Sequence, residues 1–546
     1  MRMQQKNLQL QNVRVGSLPI IDRFLDLLGL HQELVLVLKN KSYADAVVTV
    51  LKNILVEREA LYAIEEWVER HKPALSAELS PINDDRIGRA LDRLHECDRA
   101  TLQTRIVLKV TKAFSLKMDR VHSDTTSVSV AGEYRNQAPN AVQLKHGHSK
   151  DHRPDLKQLI YNLCVSSDGA VPVHFKVYDG NQSDDSIQLA TWQSLRTLLQ
   201  RPDFIYVADS KLCVEGTMRA IDKEHGLFVT MVPRTRLETK DFARDLHSGD
   251  VRWEKILRKR SSRRGNEFDT FECAVGEYRL REGFKLYWYR SSQKQKRDEK
   301  DRKDRILSAI DRLENLNLKR MRGPKTEAAA RKRIDAVLTR FQVRDWLAVD
   351  VKFDEESKYR ATTRGKPTAD TQYRLEKKRE PRLHIRRQEE TIAQAKLMDG
   401  IFPLATNTKE KALEVLKIYK YQPRLEKRHA LLKSTLDVAP IWLKRNSRIE
   451  ALMFIEYLAQ MTAALIEREL RSEMAKRKVD LLASLPEGRT TKTPTFEQIH
   501  RLFHDRIRHE LYDKQKLVRA FNEPLSKVQS QVLSLLGVAT EPYIGS

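Results

Sequence analysis

Cysteine is scarce in this chain: Cys97, Cys164, Cys213 and Cys273 are the only four in 546 residues, and they lie far apart. That excludes a dense disulfide framework and a CxxC zinc site, and it points to a reducing, cytoplasmic setting. Long uninterrupted apolar runs are missing too. The opening MRMQQKNLQLQNVRVGSL lacks the apolar core of a signal peptide. The most apolar stretch, near 447–470, is broken by Glu456, Gln460 and Glu467, so no membrane span is expected. No GxxxxGK[ST] string occurs, which disfavours a P-loop enzyme, and there is neither an internal repeat nor an extended low-complexity segment.

What is plentiful is positive charge. Lys and Arg number 100 against 75 Asp and Glu, a formal net charge of +25, while 40% of residues are apolar. Such a surplus attracts polyanions, because each phosphate neutralised by Lys or Arg releases condensed counterions. Nucleic acid is the leading partner. At about 100–200 residues per domain, the length calls for several folded units.

Residues 15–115 read as helices. Apolar positions in IIDRFLDLLGL and YADAVVTVLKNILV recur every three or four residues, and Asn83-Asp84-Asp85 precedes the periodic RIGRALDRL. From about residue 116 the pattern turns to strands: LKMDRVHSDTTSVSV, then LIYNLCV and VPVHFKVYD joined by a Ser-Ser-Asp-Gly turn, the signature of a hairpin. A helix over SDDSIQLATWQSLRTLLQ, the short run FIYVADS, a helix near 214–223 and the strand LFVTMVP follow, which together indicate a mixed sheet covered by helices. Between about 236 and 397 the chain is extremely basic, with helices expected around 300–316 and 325–341 and strand-like pieces FKLYWYR and WLAVDVKF. There Arg and Lys recur beside Trp253, Trp288 and Tyr289, rings that could stack on bases or pack a small sheet. DGIFPLATN then reads as a strand returning to the core, a helix follows with Thr408 as its cap, and the remainder, including a long helix near 447–477, reads as helical.

Three acidic positions carry the candidate chemistry. Asp124 in VHSDTTSV and Asp209 in YVADSKL end strand-like runs, where mixed sheets expose functional groups. Glu426 lies in YKYQPRLEKRHALLK, with Pro423 suited to the first helical turn; Lys433, seven residues on, would fall within about 20° of the same helix face.

The order Asp, Asp, Glu, with a long basic insertion before the Glu, resembles DDE insertion-sequence transposases of the IS-four superfamily. In that family the Glu lies in a pattern Y-x2-R-x3-E-x6-K, which Tyr419, Glu426 and Lys433 match. VHSDTTSV, GHSKDHRPDLKQ, YVADSKL and DGIFPLATN are similar to the family's flanking segments, and the resemblance covers roughly residues 80–475. The chain departs from the pattern at one position, where Gln422 stands in place of the family Arg; Arg424 is close by.

The resemblance implies an α/β fold: a ribonuclease-H-like mixed-sheet catalytic core at 113–235 and 398–445, interrupted by a basic insertion domain at 236–397. A helical N-terminal domain at 1–112, a candidate for binding DNA ends, and a helical C-terminal region at 446–546 flank it. Asp124, Asp209 and Glu426 would hold two Mg²⁺ or Mn²⁺ ions, with Asp124 bridging them. Tyr419, Gln422, Arg424, Lys433, Lys145, Lys150 and Arg153 would contact DNA. Double-stranded DNA, as terminal inverted repeats and as target, is the implied partner of a homodimer associated with the bacterial nucleoid. Several relatives pass through a hairpinned DNA end helped by an insertion-domain Trp, for which Trp253 and Trp288 are candidates. His146, His148 and His152 lack a further suitably spaced ligand for zinc. Two alternatives remain open: a metal-dependent nuclease on the same fold, and a non-catalytic DNA-binding descendant of a transposase.

Overall fold

A computed structural model of the chain describes residues 8–75, 81–260, 267–318, 326–436, 441, 443–513 and 516–544. The arginines and lysines of 261–266 and 319–325, part of the basic runs noted above, lie outside the described residues. Two compact units emerge. The first comprises Met1–Thr230, Thr406–Glu410 and Glu414–Ser546, and the second Met231–Ala405 with Lys411–Leu413.

The first unit opens with strand β1 (Leu8–Arg14) and helices α1 (Leu18–Leu28), α2 (Leu30–Leu38), α3 (Lys41–Val56), α4 (Ile64–Leu75), α5 (Asp84–Glu96) and α6 (Arg99–Ala113). Their starts follow from local chemistry. The side chains of Asn40, Asn83 and Asp98 accept the orphan backbone N–H groups of Tyr43, Arg86 and Thr101, and Asp84 and Asp85 complement the positive end of α5.

The sheet of this unit contains β2 (Arg120–Val130), β3 (Lys157–Ser166), β4 (Pro172–Asp179), β5 (Ile205–Ala208) and β6 (Leu227–Met231), in the order β4-β3-β2-β5-β6. Strands β4, β3 and β2 run antiparallel, whereas β2, β5 and β6 run parallel. Parallel neighbours need crossovers, which α7 (Asp184–Leu199) and α8 (Glu215–Lys223) supply. Gly169, at a left-handed φ of 83°, turns β3 into β4, and a Cβ there would run into the Arg468 side chain.

In the second unit come α9 (Leu237–Ser248), β7 (Trp253–Arg260), β8 (Phe268–Ala274), β9 (Tyr278–Arg279), β10 (Lys285–Ser291), α10 (Ser292–Leu318), α11 (Glu327–Phe341), β11 (Leu347–Ala361), β12 (Tyr373–Arg387), α12 (Glu389–Leu397) and β13 (Ile401–Thr406). Strands β13, β10, β8 and β7 are successive neighbours in a ten-stranded sheet, with β9 on β10. DGIFPLATN forms the expected strand, whose residues to Ala405 fall in the second unit and Thr406 in the first. Trp288 is fully buried and stacks on Phe242 with ring centres 4.0 Å apart, while Trp253 meets the edge of Phe242 and is covered by the Arg290 guanidinium. Trp288 thus packs the small sheet, while Trp253 stays half-buried.

The first unit resumes through α13 (Ala412–Tyr419) and α14 (Pro423–Ala430), continued by a widened π turn at Leu431–Thr435. The helix expected to start at Thr408 begins at Ala412, because Thr408 bonds to Thr406 instead. Next is α15 (Asn446–Lys476), long and apolar enough to cross a membrane by length and composition, with 94% of its most apolar window buried inside the protein. The polar residues that interrupt it have partners: Glu456 accepts from Arg58, Gln460 donates to the Tyr161 hydroxyl, and Glu467 pairs with Arg428. After α16 (Phe496–Phe503), the C-terminal region is not wholly helical. Strands β14 (Ile507–Asp513) and β15 (Lys516–Phe521) form an antiparallel sheet with β1 in the order β1-β14-β15, before α17 (Lys527–Leu536) and α18 (Glu541–Ile544). The physical reason is a pairing partner from the other end of the chain, which local periodicity does not reveal.

Candidate active site

Asp124 in β2 and Asp209, the first residue past the adjacent parallel strand β5, stand level with each other. Arg120, Val121 and His122 of β2 pair with Ile205, Tyr206 and Val207 of β5, so each aspartate stands two residues beyond the pair His122 and Val207. Alternation along a strand then directs both carboxylates to one face, on chains about 4.8 Å apart. Asp209 leaves β5 into a single 3₁₀ turn, where its Oδ1 accepts from the Lys211 N–H at 3.0 Å and its carbonyl from the Thr230 hydroxyl at 2.6 Å. Asp124 Oδ1 accepts from the Thr125 N–H at 2.8 Å.

Burial pushes the Asp124 carboxyl up to about 7. Lys150 and the Thr125 N–H oppose the rise, whereas the charges of Asp209 and Glu426 add to it. Glu426 is thus close enough to act on Asp124. It sits exposed in the first turn of α14, which Pro423 opens at a position where a missing N–H costs little. Tyr419, at the end of α13, is largely buried; its phenol is pushed well up by burial and further by Asp209, Asp124 and Glu426. All three acids and Tyr419 therefore share one electrostatic neighbourhood.

Gln422 takes a different part from the one its place in the family pattern implies. It is buried, its Oε1 lies 3.0 Å from His122 Nδ1, and its Nε2 donates to the Ser123 carbonyl at 3.0 Å. The amide ties the Glu426 helix to the strand of Asp124, which places it inside the protein instead of on a DNA-facing surface. Burial holds His122 down at about 4, so it stays neutral and can donate Nδ1–H to the glutamine oxygen. Arg424 is exposed, with its guanidinium 5.1 Å over the Tyr421 ring.

Lys150 bends back to β2, donating from Nζ to the Thr125 carbonyl at 2.6 Å and hydroxyl at 2.9 Å. Lys433 lies in the π turn, not on a continued α-helix, and pairs with Asp151 of the same loop. These contacts fasten the 145–156 segment at the site. Lys145 and Arg153 instead pair with Asp179 and Asp155.

Two residues of the site escaped the sequence pattern. Arg428 is buried, donates to the carbonyls of Gly169 and Ala170 and pairs with Glu467, while the Tyr421 hydroxyl accepts from the Ala170 N–H; together they seat α14 on the β3–β4 turn. His429, fully buried with Nε2 3.8 Å from Asp124 Oδ2, is held down to about 3 by burial and by Lys150 and Lys433. Its spacing of three from Glu426 is the signal that could have found it.

Among the described residues no three His, Cys, Asp or Glu side chains are gathered closely enough to hold one ion. The donor chemistry nonetheless fits a divalent cation: three carboxyl groups, of which Asp124 is raised by burial and by the charges of Asp209 and Glu426 that a cation would offset.

No family model matches the sequence, and no curated protein matches it. A solved structure similar in part is a piggyBac transposase synaptic complex with hairpin DNA, at 14% identity over 46% of this chain and with a TM-score of 0.25. The match spans about half, 52%, of that chain. At that level the similarity carries no weight for either fold or activity.

Proposed function

We propose that this chain is a DNA transposase of the DDE class, which binds the terminal inverted repeats of its own element, cleaves there and joins the freed 3′-hydroxyl to target DNA. The observation that carries the reading is the level placement of Asp124 in β2 and Asp209 just past the adjacent parallel strand β5, with Glu426 near enough to raise the Asp124 carboxyl. The net charge of +25 supports a polyanionic partner.

Asp124 would bridge two Mg²⁺ or Mn²⁺ ions, with Asp209 and Glu426 each holding one. When bound, such ions supply the charge that activates an attacking oxygen and stabilises the leaving one in displacement at phosphorus. The protein's own groups do the rest. Tyr419 stays a neutral phenol in this acidic setting and can donate a hydrogen bond to a phosphate oxygen. Lys433 and Lys150 bring positive charge to the rim, Lys433 by exchanging Asp151 for a phosphate; Arg424 is the exposed guanidinium nearest Gln422 in sequence and takes the anion contact that the buried glutamine does not make. Bringing two element ends together calls for a homodimer on DNA, with the helices after residue 447 as contact candidates, in the cytoplasm at the bacterial nucleoid.

The experiment is cleavage of labelled DNA carrying the element's ends in Mg²⁺ or Mn²⁺, comparing the native protein with Asp209→Asn and measuring binding in parallel. Cleavage abolished while binding persists supports the proposal. Cleavage unaffected by the substitution defeats it, and specific binding without cleavage by either protein favours the non-catalytic descendant.

A further inference from the structure

The second unit carries a long two-stranded ribbon with no evident role in the fold. Strands β11 and β12 pair in unbroken register from Leu347 and Arg387 to Ala361 and Tyr373, and among the described residues they pair with no other strand. At about 3.4 Å per residue each strand is roughly 50 Å long. Its base is anchored: Val349, Val351, Leu383 and Ile385 pack against a cluster that includes Ile306, Leu313, Ile334 and Leu338 of α10 and α11. Beyond the base, nearly every residue from Ser357 to Lys377 is exposed.

The pleat sorts this distal half into two faces. Tyr359, Leu375 and Tyr373 share one face, 74%, 46% and 51% exposed, and Arg360 lies directly opposite Arg374 on the other. Arg364 and Lys366 occupy the connecting turn. Over 357–377 basic residues outnumber acidic ones by four. Like charges facing each other across strands are destabilising, and Glu376, which bonds to Arg374 and pairs with Arg360, offsets them only in part. A hairpin with both faces in water is marginal by itself. Exposed aromatic rings on one side and guanidinium groups on the other therefore describe a surface shaped for contact.

We propose that Ser357–Lys377 is an arm that enters a groove of double-stranded DNA, an inference that rests on the DNA partner proposed above. Charge sign and shape select this occupant. The major groove, about 12 Å wide, admits a two-stranded β-ribbon. Arg360, Arg364, Lys366 and Arg374 reach the flanking phosphates, and the Tyr359 and Tyr373 side faces the base edges.

The test uses the full chain and a fluorescein-labelled mixed-sequence duplex, titrated at salt concentrations from about 50 to 200 mM. The protein is compared with a variant combining Arg360→Gln, Arg364→Gln, Lys366→Gln and Arg374→Gln. A second preparation carries a photo-crosslinking side chain in place of Tyr359. Affinity at least tenfold weaker, a salt slope shallower by about 0.9 for each phosphate no longer neutralised, and crosslinks to DNA are the expected results. Unchanged affinity and slope in the variant, or crosslinks to a second copy of the chain, would overturn the ribbon assignment while leaving the DNA reading intact. Failure of the native protein to bind any duplex would overturn both.

Discussion

The stretch of β2 around Asp124 and the tip of the β11–β12 ribbon use charge in opposite ways. At Asp124 one carboxyl is drawn largely out of water, and burial pushes it up to about 7. Along the ribbon many cations stay in water, where each costs the fold little. Charge kept out of water is suited to chemistry, because its interactions are strong and set by position; charge left in water is suited to affinity, because it adds up over many weak interactions.

The largest expected effect lies at the acidic end. Asp209→Asn should lower element-end cleavage by about 10³-fold or more, the scale of removing a central electrostatic stabiliser, with DNA affinity unchanged. Equal reductions in both would erase the contrast between the two regions.

Stability against pH gives the next test. Because Asp124 is raised in the folded state, that state binds more protons than the unfolded chain between the ordinary aspartate value and about 7. Its contribution is therefore present at low pH and is lost as pH rises through that window. Without divalent ions, Asp124→Asn should stabilise the protein at pH 8 by something on the order of 4 kcal/mol and flatten the slope between pH 4 and 7, as read by denaturant unfolding. In the native protein Mg²⁺ should restore stability more at pH 8 than at pH 5. A variant no more stable than the native protein at pH 8 would remove burial as the cause.

Gln422 sharpens the comparison at close range. Gln422→Ala strands the buried His122 Nδ1–H and should cost about 1–3 kcal/mol, with cleavage falling through misplacement of Glu426 and DNA affinity retained. A reduction confined to DNA affinity, at unchanged stability, would return Gln422 to the phosphate-contact role implied by the family pattern. Smallest of all, the combined ribbon variant should alter unfolding by no more than about 0.5 kcal/mol per site, the mark of charges left in solvent.

Much of the core was readable from local chemistry. Asn83 with Asp84 and Asp85 marks the start of α5, the Ser-Ser-Asp-Gly turn joins β3 to β4, and Pro423 opens α14. Asp209 follows the end of β5 as its pattern suggested, but Asp124 lies inside β2, which runs on to Val130 because its distal half pairs with β3. What escaped depends on residues distant in sequence. Gln422 is drawn inward by His122 and Ser123, residues some three hundred positions earlier. The strand β14 finds its partner in β1, from the opposite end of the chain. Within the insertion, which the sequence marks as extremely basic, Tyr373–Arg387 form β12 because β11 offers a complete edge and the base of the ribbon is apolar. Trp288 was one of three rings open to a base-stacking role, and only Phe242 against it decides for the core.

The most direct measurement is Mn²⁺ binding to the full chain, followed by electron paramagnetic resonance for the native protein and for Asp124→Asn. If Asp124, Asp209 and Glu426 act as one site, the native protein should take up about two Mn²⁺ ions and release protons as it does so near pH 6.5, and the variant should lose both responses. Native-like Mn²⁺ uptake by Asp124→Asn, or none by the native protein, would contradict it.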